Sequence, residues 1–246
     1  DWNKYPAEMG VREFYGGDIA GVMQKLDYLQ ELGVDYLWLT PFFVSPQNDN
    51  GYDVADYRNI DPLFGTMEDL EELIAGADRR GIGLMLDMVF NHTSTEHEWF
   101  QKALMGDPEY MDYYIFKAGA PEKAPTNWGS KFGGPAWEYV PHLEKWYLHL
   151  FDVTQADVNW ENPKVREELK EVIRFWKEKG IKGFRFDVVN LISKPEIFED
   201  DSQGDGRRFY TDGHRVHELL KELAGDSGMI DNNMLTVGEM SSTSID

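Results

Sequence analysis

Apolar positions along the chain alternate between helical and strand periodicity. Four stretches repeat apolar side chains every three or four positions and are predicted to be helices: residues 18–33, 66–81, 162–180 and 216–223. Four short apolar runs are predicted to be strands: residues 35–40, 82–90, 183–190 and 235–240. Helices and strands in alternation predict right-handed crossovers and a parallel sheet, so the fold class is α/β.

Local signals support the starts of these helices. Asp18 precedes the first apolar helical position and is expected to cap it. Thr66 and Asp69 resemble a capping box, and Asn162 followed by Pro163 is a typical helix start. The three helices are therefore expected to begin at these positions.

The alternation is broken by a long stretch, residues 93–160. It is rich in aromatic residues, glycine and proline, and only residues 146–151 within it look like a strand. Loops of this size are seldom structureless, so we interpret it as an inserted subdomain. The chain then divides into residues 1–92, the inserted residues 93–160, and residues 161–246.

A charged pair interrupts the apolar run 183–190. Arg185 and Asp187 are two positions apart, so their side chains point to the same face of a strand. A second strand, residues 235–240, also delivers an acid, Glu239. Two acids at strand ends are typical of active sites in parallel β/α barrels, and two carboxylates suffice to cleave a glycosidic bond. A plain internal ion pair is the alternative for Arg185 and Asp187.

Composition narrows the class of protein. The net charge of −21 excludes nucleic acid and anionic membranes as partners, and no apolar run approaches the length of a membrane span. The chain contains no cysteine, which favours a cytoplasmic location. It begins at Asp1 without a signal segment or an initiator methionine, so we expect it to be part of a longer protein.

Several motifs, in order, resemble one enzyme family. They are residues 87–92, residues 155–159, residues 183–187 and residues 237–239. Their order and spacing resemble the signature regions of the α-amylase superfamily, glycoside hydrolase family 13. The resemblance implies a (β/α)8 TIM barrel with a subdomain inserted after the third strand. It also implies retaining hydrolysis of an α-glucosidic bond.

Further segments resemble one branch of this family. They are residues 45–53, residues 159–162, residues 206–213 and residues 237–244, together with Val188. This branch acts on trehalose 6-phosphate, giving glucose and glucose 6-phosphate, or on α-1,6-linked glucosides. The small-molecule disaccharide trehalose 6-phosphate is the first expectation and an α-1,6-linked substrate the alternative. A catalytically inactive module that binds sugar or supports a partner is a third reading, although the acid pair is present.

The resemblance implies a division of labour between the two acids. Asp187 would be the nucleophile and Glu239 the general acid/base, because one carboxylate must attack while the other donates a proton. Arg185 would keep Asp187 ionised, which is compatible with an ion-pair role. Asp87 would hold Arg185 in place from behind.

Other residues are expected to contact the substrate. The resemblance assigns sugar hydroxyls to Asp53 and His92, and an aromatic platform to Tyr52. Phe132 either lines the sugar site or packs. Two arginines in a glycine-rich loop are the candidates for phosphate binding, or else form a solvated pair: Arg207 and Arg208.

The chain also departs from the family pattern. Residues 5–6 are all that remains of the usual first strand, and residues 12–18 replace the acidic loop that binds a divalent cation. We therefore expect no metal and no other cofactor. The expected barrel ends with its fifth strand, without the family's third carboxylate, so residues 1–246 alone should be weakly active or inactive. The oligomeric state stays open.

Overall fold

The computed structural model describes residues 17–243. The predictions for residues 5–6 and for most of 12–18 lie outside this range. The elements within it are, in order, α1 Ile19–Met23, α2 Leu26–Glu31, β1 Tyr36–Leu39, β2 Phe43–Val44, β3 Asp56–Ile60, α3 Met67–Asp78, β4 Gly83–Met88, β5 His92–Ser94, α4 Glu98–Leu104, α5 Pro108–Met111, β6 Phe116–Ala118, β7 Trp137–Val140, β8 Lys145–Leu148, β9 Gln155–Asp157, α6 Pro163–Glu178, β10 Gly183–Phe186, α7 Arg207–Tyr210, α8 Val216–Asp226 and β11 Leu235–Gly238.

A parallel sheet positions the charged residues. Across the described residues its strand order is β1-β4-β10-β11, and every neighbouring pair is parallel. This confirms the predicted parallel sheet and the α/β class. Arg185 is paired in register with Asp87 on one side and with Val237 on the other. Because parallel strands end at the same edge, Asp187 and Glu239 emerge side by side.

The helices begin where the sequence predicts. Asp69 donates its amide to the Thr66 hydroxyl at 3.2 Å, and the Asp69 carboxylate accepts the Thr66 amide at 2.8 Å, which confirms the capping box. The Asn162 side chain caps α6, and Asp18 caps α1. The apolar face of α6 is buried against the sheet side of the core, with Trp176 stacked on Phe43 at 5.3 Å.

Some predicted elements differ in extent. The helix predicted over 18–33 is two short helices, because the Lys25 amide bonds to Val22 in a tighter turn between them. Strands β2 and β3, which the sequence analysis does not predict, form an antiparallel pair too short to show periodicity. The strand predicted over 183–190 ends at Phe186, since Val188 turns into the left-handed region at φ 37°.

Residues 93–160 contain a sheet of their own. Strands β6, β8 and β7 pair antiparallel in that order within the described chain. The segment begins and ends at one place, a separate two-stranded sheet in which β5 pairs antiparallel with β9. In that pairing His92 lies opposite Asp157, and Ser94 lies opposite Gln155. The two ends of the segment are therefore adjacent.

Candidate active site

One guanidinium joins three carboxylates at the edge of the parallel sheet. Nη1 of Arg185 donates to both oxygens of Asp87, at 2.9 and 3.0 Å, and to Oδ1 of Asp187 at 2.6 Å. Nη2 of Arg185 donates to Oε2 of Glu239 at 2.6 Å. The planar fork of arginine suits this arrangement, since Nη1 reaches Asp87 and Asp187 while Nη2 reaches Glu239. The cluster brings Asp87, Asp187 and Glu239 into one site.

Asp87 is the most deeply buried carboxylate of this cluster. Its side chain is fully buried, and it accepts hydrogen bonds from the Trp38 indole and the Tyr52 hydroxyl, both at 3.2 Å. Burial raises the pKa of Asp87 to about 6, although Arg185 and these donors oppose the rise. The Arg185 guanidinium also lies 5.2 Å from the Trp38 ring and 5.9 Å from the Tyr52 ring. Asp87 and the two rings therefore fix its orientation.

Asp187 and Glu239 behave as a pair. Burial raises the pKa of Asp187 to about 8, and a hydrogen bond with Glu239 adds to the rise. Burial also acts on Glu239, but hydrogen bonds with Asp187 and with the Val188 amide, together with Arg185, lower its pKa overall. At neutral pH the free pair therefore holds one proton, on Asp187.

The turn after β10 connects the two acids. Left-handed Val188 directs its amide to Oε2 of Glu239 at 3.3 Å. Asn190 is fully buried, and its amide nitrogen donates to Ser241 O at 2.9 Å while its oxygen accepts the Ser241 amide at 2.9 Å. Asn190 thus ties the loop after Glu239 to the turn after Asp187.

Three predicted sugar-binding residues lie together: Tyr52 and Asp53 are in one loop, and His92 contacts that loop. Asp53 is fully buried and accepts hydrogen bonds from Ser45 Oγ at 2.9 Å and the Asn48 amide at 2.8 Å, so it also shapes its own loop. His92 is buried, and its Nε2 lies 3.0 Å from Tyr52 O. Burial lowers the pKa of His92, which keeps the ring neutral.

Phe132 is linked to His92 through the ring of Phe151. It is 58% exposed, and its ring meets Phe151 edge-on with centroids 5.5 Å apart. Phe151 in turn packs on His92, with centroids 5.1 Å apart. Phe132 therefore packs and remains accessible at the same time.

Arg207 and Arg208 lie at the start of α7, after Gly206. Gly206 has φ 92°, and a Cβ there would lie 2.4 Å from Trp128, so only glycine fits. Nε of Arg207 pairs with Asp205 at 2.9 Å, and Nη2 of Arg208 pairs with Asp201 at 3.0 Å. Both side chains are about half exposed, and Arg207 and Arg208 line an open pocket of about 560 Å³.

Several residues with a part in the site were not singled out from the sequence. Trp38 is one, although its place on a strand beside Asp87 was a usable signal. Lys131 is another, donating to Ser241 and Ser242. The fully buried Asn190 and the buried Lys194, which pairs with Asp157 at 2.9 Å, complete the set. Their partners are distant in sequence, so no local pattern marks them.

The described residues contain neither a metal-binding cluster nor a membrane-spanning helix. No group of histidine and acidic side chains there is arranged to hold a metal ion. No helix in that part of the chain is both long and apolar enough to cross a bilayer.

Comparison with known proteins defines the class. Residues 4–246 match the α-amylase family, described as "Alpha amylase, catalytic domain". The chain therefore belongs to the α-amylase catalytic-domain family.

Two relatives and one solved structure are similar to most of the chain. The chain is 58% identical over 230 residues to the trehalose-6-phosphate hydrolase of Escherichia coli K12, covering 94% of this chain and 42% of that relative. It is 49% identical to the oligo-1,6-glucosidase of Parageobacillus thermoglucosidasius, covering 91% of this chain and 41% of that one. The crystal structure of Bacillus licheniformis trehalose-6-phosphate hydrolase superposes with a TM-score of 0.89 at 57% identity, covering 93% and 41%. The chain thus spans about two fifths of the length of these relatives.

Proposed function

We propose that the chain supplies the catalytic acids of a retaining α-glucoside hydrolase acting on trehalose 6-phosphate, with glucose and glucose 6-phosphate as products. The observation that carries the proposal is Arg185 bonded at once to Asp87, Asp187 and Glu239 at the edge of a parallel sheet. The similarity to trehalose-6-phosphate hydrolases supports the choice of substrate.

We also propose that the chain forms part of a barrel with an inserted subdomain. We take strands β1, β4, β10 and β11 as the second to fifth strands of a (β/α)8 barrel, with residues 93–160 as the inserted subdomain. Residues 1–92 and 161–246 would then form the barrel part. The adjacent ends of the segment, where β5 pairs with β9, support an insertion at that point.

The two carboxylates, Asp187 and Glu239, carry out the reaction in two steps. Asp187 attacks the anomeric carbon of the unphosphorylated glucose while Glu239 gives its proton to the leaving oxygen, releasing glucose 6-phosphate. Glu239 then takes a proton from water, which attacks the same carbon, releasing glucose and freeing Asp187. Arg185 stabilises the carboxylate form of Asp187 in both steps.

The proton must move before the first step. In the free site it lies on Asp187, because burial raises the pKa of that carboxyl. A sugar bound between the acids would break their mutual hydrogen bond and separate Glu239 from Arg185. Losing the contact with Arg185 raises the pKa of Glu239, and losing the mutual hydrogen bond raises the pKa of Glu239 and lowers that of Asp187. Substrate binding therefore transfers the proton to the acid that needs it.

The remaining assignments concern binding. We assign the hydroxyls of the cleaved glucose to Asp53 and His92, with Tyr52 as platform and Phe132 beside the sugar. The neutral His92 suits a hydroxyl partner rather than an anionic one. We further propose a cytoplasmic location, in keeping with a cysteine-free chain.

An α-1,6-glucosidase is the second candidate function. The 49% identity to an oligo-1,6-glucosidase favours it specifically. Both functions use the same acids and differ in the leaving sugar. The discriminating feature is therefore the phosphate.

Substrate assays separate the two candidates. The protein as its genome encodes it should release glucose 6-phosphate from trehalose 6-phosphate with a kcat/KM well above that for isomaltose. A preference for isomaltose would refute the first function and establish the second.

Two variants test the roles of the acids. E239Q should lose hydrolysis of trehalose 6-phosphate yet release a burst of fluoride from α-glucosyl fluoride, whose leaving group needs no proton, before the missing base stalls the second step. D187N should lose both, because the nucleophile is gone. D231N, which alters an exposed loop carboxylate, is the matched control and should match the unmodified protein. Retained fluoride turnover in D187N would refute its assignment as nucleophile.

A further inference from the structure

A partly buried lysine, Lys131, links the segment 93–160 to the loop that follows Glu239. Nζ of Lys131 donates to Ser241 Oγ at 3.1 Å and to Ser242 Oγ at 2.8 Å. Across residues 17–243, no carboxylate lies within salt-bridge distance of this ammonium. An ammonium has three donors, and within the same range the third has no acceptor. Lys131 therefore presents a positive charge with one donor still free.

Its position follows from the two acids. Ser241 and Ser242 are the second and third residues after Glu239, the proposed acid that protonates the leaving oxygen. Asn190 fixes this loop through its paired hydrogen bonds to Ser241. Phe132, next to Lys131, reaches His92 through Phe151. Lys131 thus lies against the loop that follows the proposed acid.

The surroundings suit an anion. Burial, and then the positive charges of Arg207 and Lys194, lower the pKa of Lys131, while the charges of Asp205 and Glu239 oppose this shift. Arg207, Ser242 and Thr243 line an adjacent open pocket. Asp212 also lines it, but its oxygens accept hydrogen bonds from Asn190 at 3.0 Å and from Thr243 at 2.9 Å. The Asp212 carboxylate is therefore hydrogen-bonded within the pocket wall.

Local positive charge is needed here. The chain carries a net charge of −21, and such a field repels a phosphorylated sugar. Arg208, by contrast, is held by Asp201, whose carboxylate also accepts the amides of Gln203 and Gly206. Arg208 therefore stabilises its own turn, whereas no carboxylate among residues 17–243 pairs with Lys131 in this way.

Resting on the function proposed above, we propose that Lys131 determines specificity by binding the phosphate of the leaving glucose 6-phosphate. The two serines orient the ammonium, and its third donor meets a phosphate oxygen. Arg207 adds charge from the adjacent wall. A charge-assisted hydrogen bond of this kind explains preference for the phosphorylated disaccharide over a neutral one.

The test compares substrates with and without phosphate, using the full encoded protein. K131M should raise the KM for trehalose 6-phosphate about tenfold or more and leave that for p-nitrophenyl α-glucoside unchanged. K131R should recover most of the loss. K221M removes the same charge from the exposed face of α8 and should behave as the unmodified protein. Equal effects of K131M on both substrates would overturn the proposal.

Product inhibition separates this inference from the function itself. K131M should raise the inhibition constant of glucose 6-phosphate about tenfold and leave that of glucose unchanged. An unchanged constant for glucose 6-phosphate would overturn the role of Lys131. If the unmodified protein cleaves isomaltose and not trehalose 6-phosphate, the proposed function fails, and the same two inhibitors against isomaltose still decide the role of Lys131.

Discussion

At the scale of single residues, one cation, Arg185, contacts three carboxylates of the site. Arg185 is 12% exposed and compensates Asp87, Asp187 and Glu239 together. One positive charge cannot keep three buried or partly buried carboxylates ionised, so a proton is retained on the pair. Protonation of the site and stability of the fold are therefore linked.

Removing the cation should destabilise the fold. R185M leaves the fully buried Asp87 without its ionic partner, so the free energy of unfolding at neutral pH should fall by about 3–5 kcal/mol. Urea denaturation measures the loss. R58M is the matched control: Arg58 pairs with Glu168 at 3.6 Å with both side chains exposed, and its loss should cost about 0–1 kcal/mol. Similar losses in the two variants would contradict the compensating role of Arg185.

Asp187 should give stability a pH dependence. Its folded pKa of about 8 lies above its ordinary 3.8, so the folded chain holds a proton that the unfolded chain releases. This contribution favours folding fully at low pH and is lost as pH rises through 8. D187N cannot titrate, so its Tm relative to the unmodified protein should be higher at pH 8 than at pH 5. Thermal scans at both values check this, and a difference that shrinks with rising pH would refute it.

At the scale of elements, sheet and turns divide the work. Parallel β10 and β11 deliver Asp187 and Glu239 to one edge. The left-handed turn at Val188 and the buried Asn190 then set the distance between the loops that follow. The strands determine which residues meet, and the turns determine how they are held.

Asn190 offers a test of this division. N190A leaves the Ser241 amide and carbonyl without their partners, so the free energy of unfolding should fall by roughly 1–3 kcal/mol. The KM for trehalose 6-phosphate should rise as well, because the loop that holds Lys131 loosens. N59A, which removes an exposed hydrogen bond to Asp56, is the control and should change neither. Denaturation and kinetics that match in N190A and N59A would contradict the anchoring role.

Most of the helices and strands were predictable from the sequence. Periodicity and caps gave the long helices and the four parallel strands, since those signals are local. The pair β2 and β3 was missed because the two strands span only two and five residues. Lys131 was missed for another reason: it meets Ser241 across 110 positions, and no single-sequence pattern encodes such a contact.

At the scale of the whole molecule, the outer strands of the sheet expose apolar surface. Tyr36 and Trp38 on β1 are 42% and 46% exposed, and Leu235 and Val237 on β11 are 43% and 50% exposed. Eight strands close a barrel of this type, so the proposed architecture requires further strands against these two. The sequence predicted the acids of the site, but not which groups cover this surface.

Residues 1–246 produced alone should therefore behave differently from the full encoded protein. The exposed apolar strands should bind the dye ANS, and hydrolysis of trehalose 6-phosphate should be at least 10²–10³-fold lower, roughly the cost of losing one preorganised electrostatic group. Dye fluorescence and turnover at equal concentration measure both effects. Turnover near that of the full protein would show that this segment is catalytically sufficient.

The pairing of Ser94 with Gln155 has a consequence for how the chain can change. Because the segment between them starts and ends at one point, a change in its length costs little closure entropy, and doubling a loop costs only about 0.6 kcal/mol. Its buried side chains, which pack with Val188, Leu191 and Tyr210, are constrained, whereas its exposed turns are not. Changes confined to those turns, including the turn beside Lys131, would therefore alter which leaving sugar is accepted at little thermodynamic cost. Substrate preference can drift while Asp187 and Glu239 stay where they are.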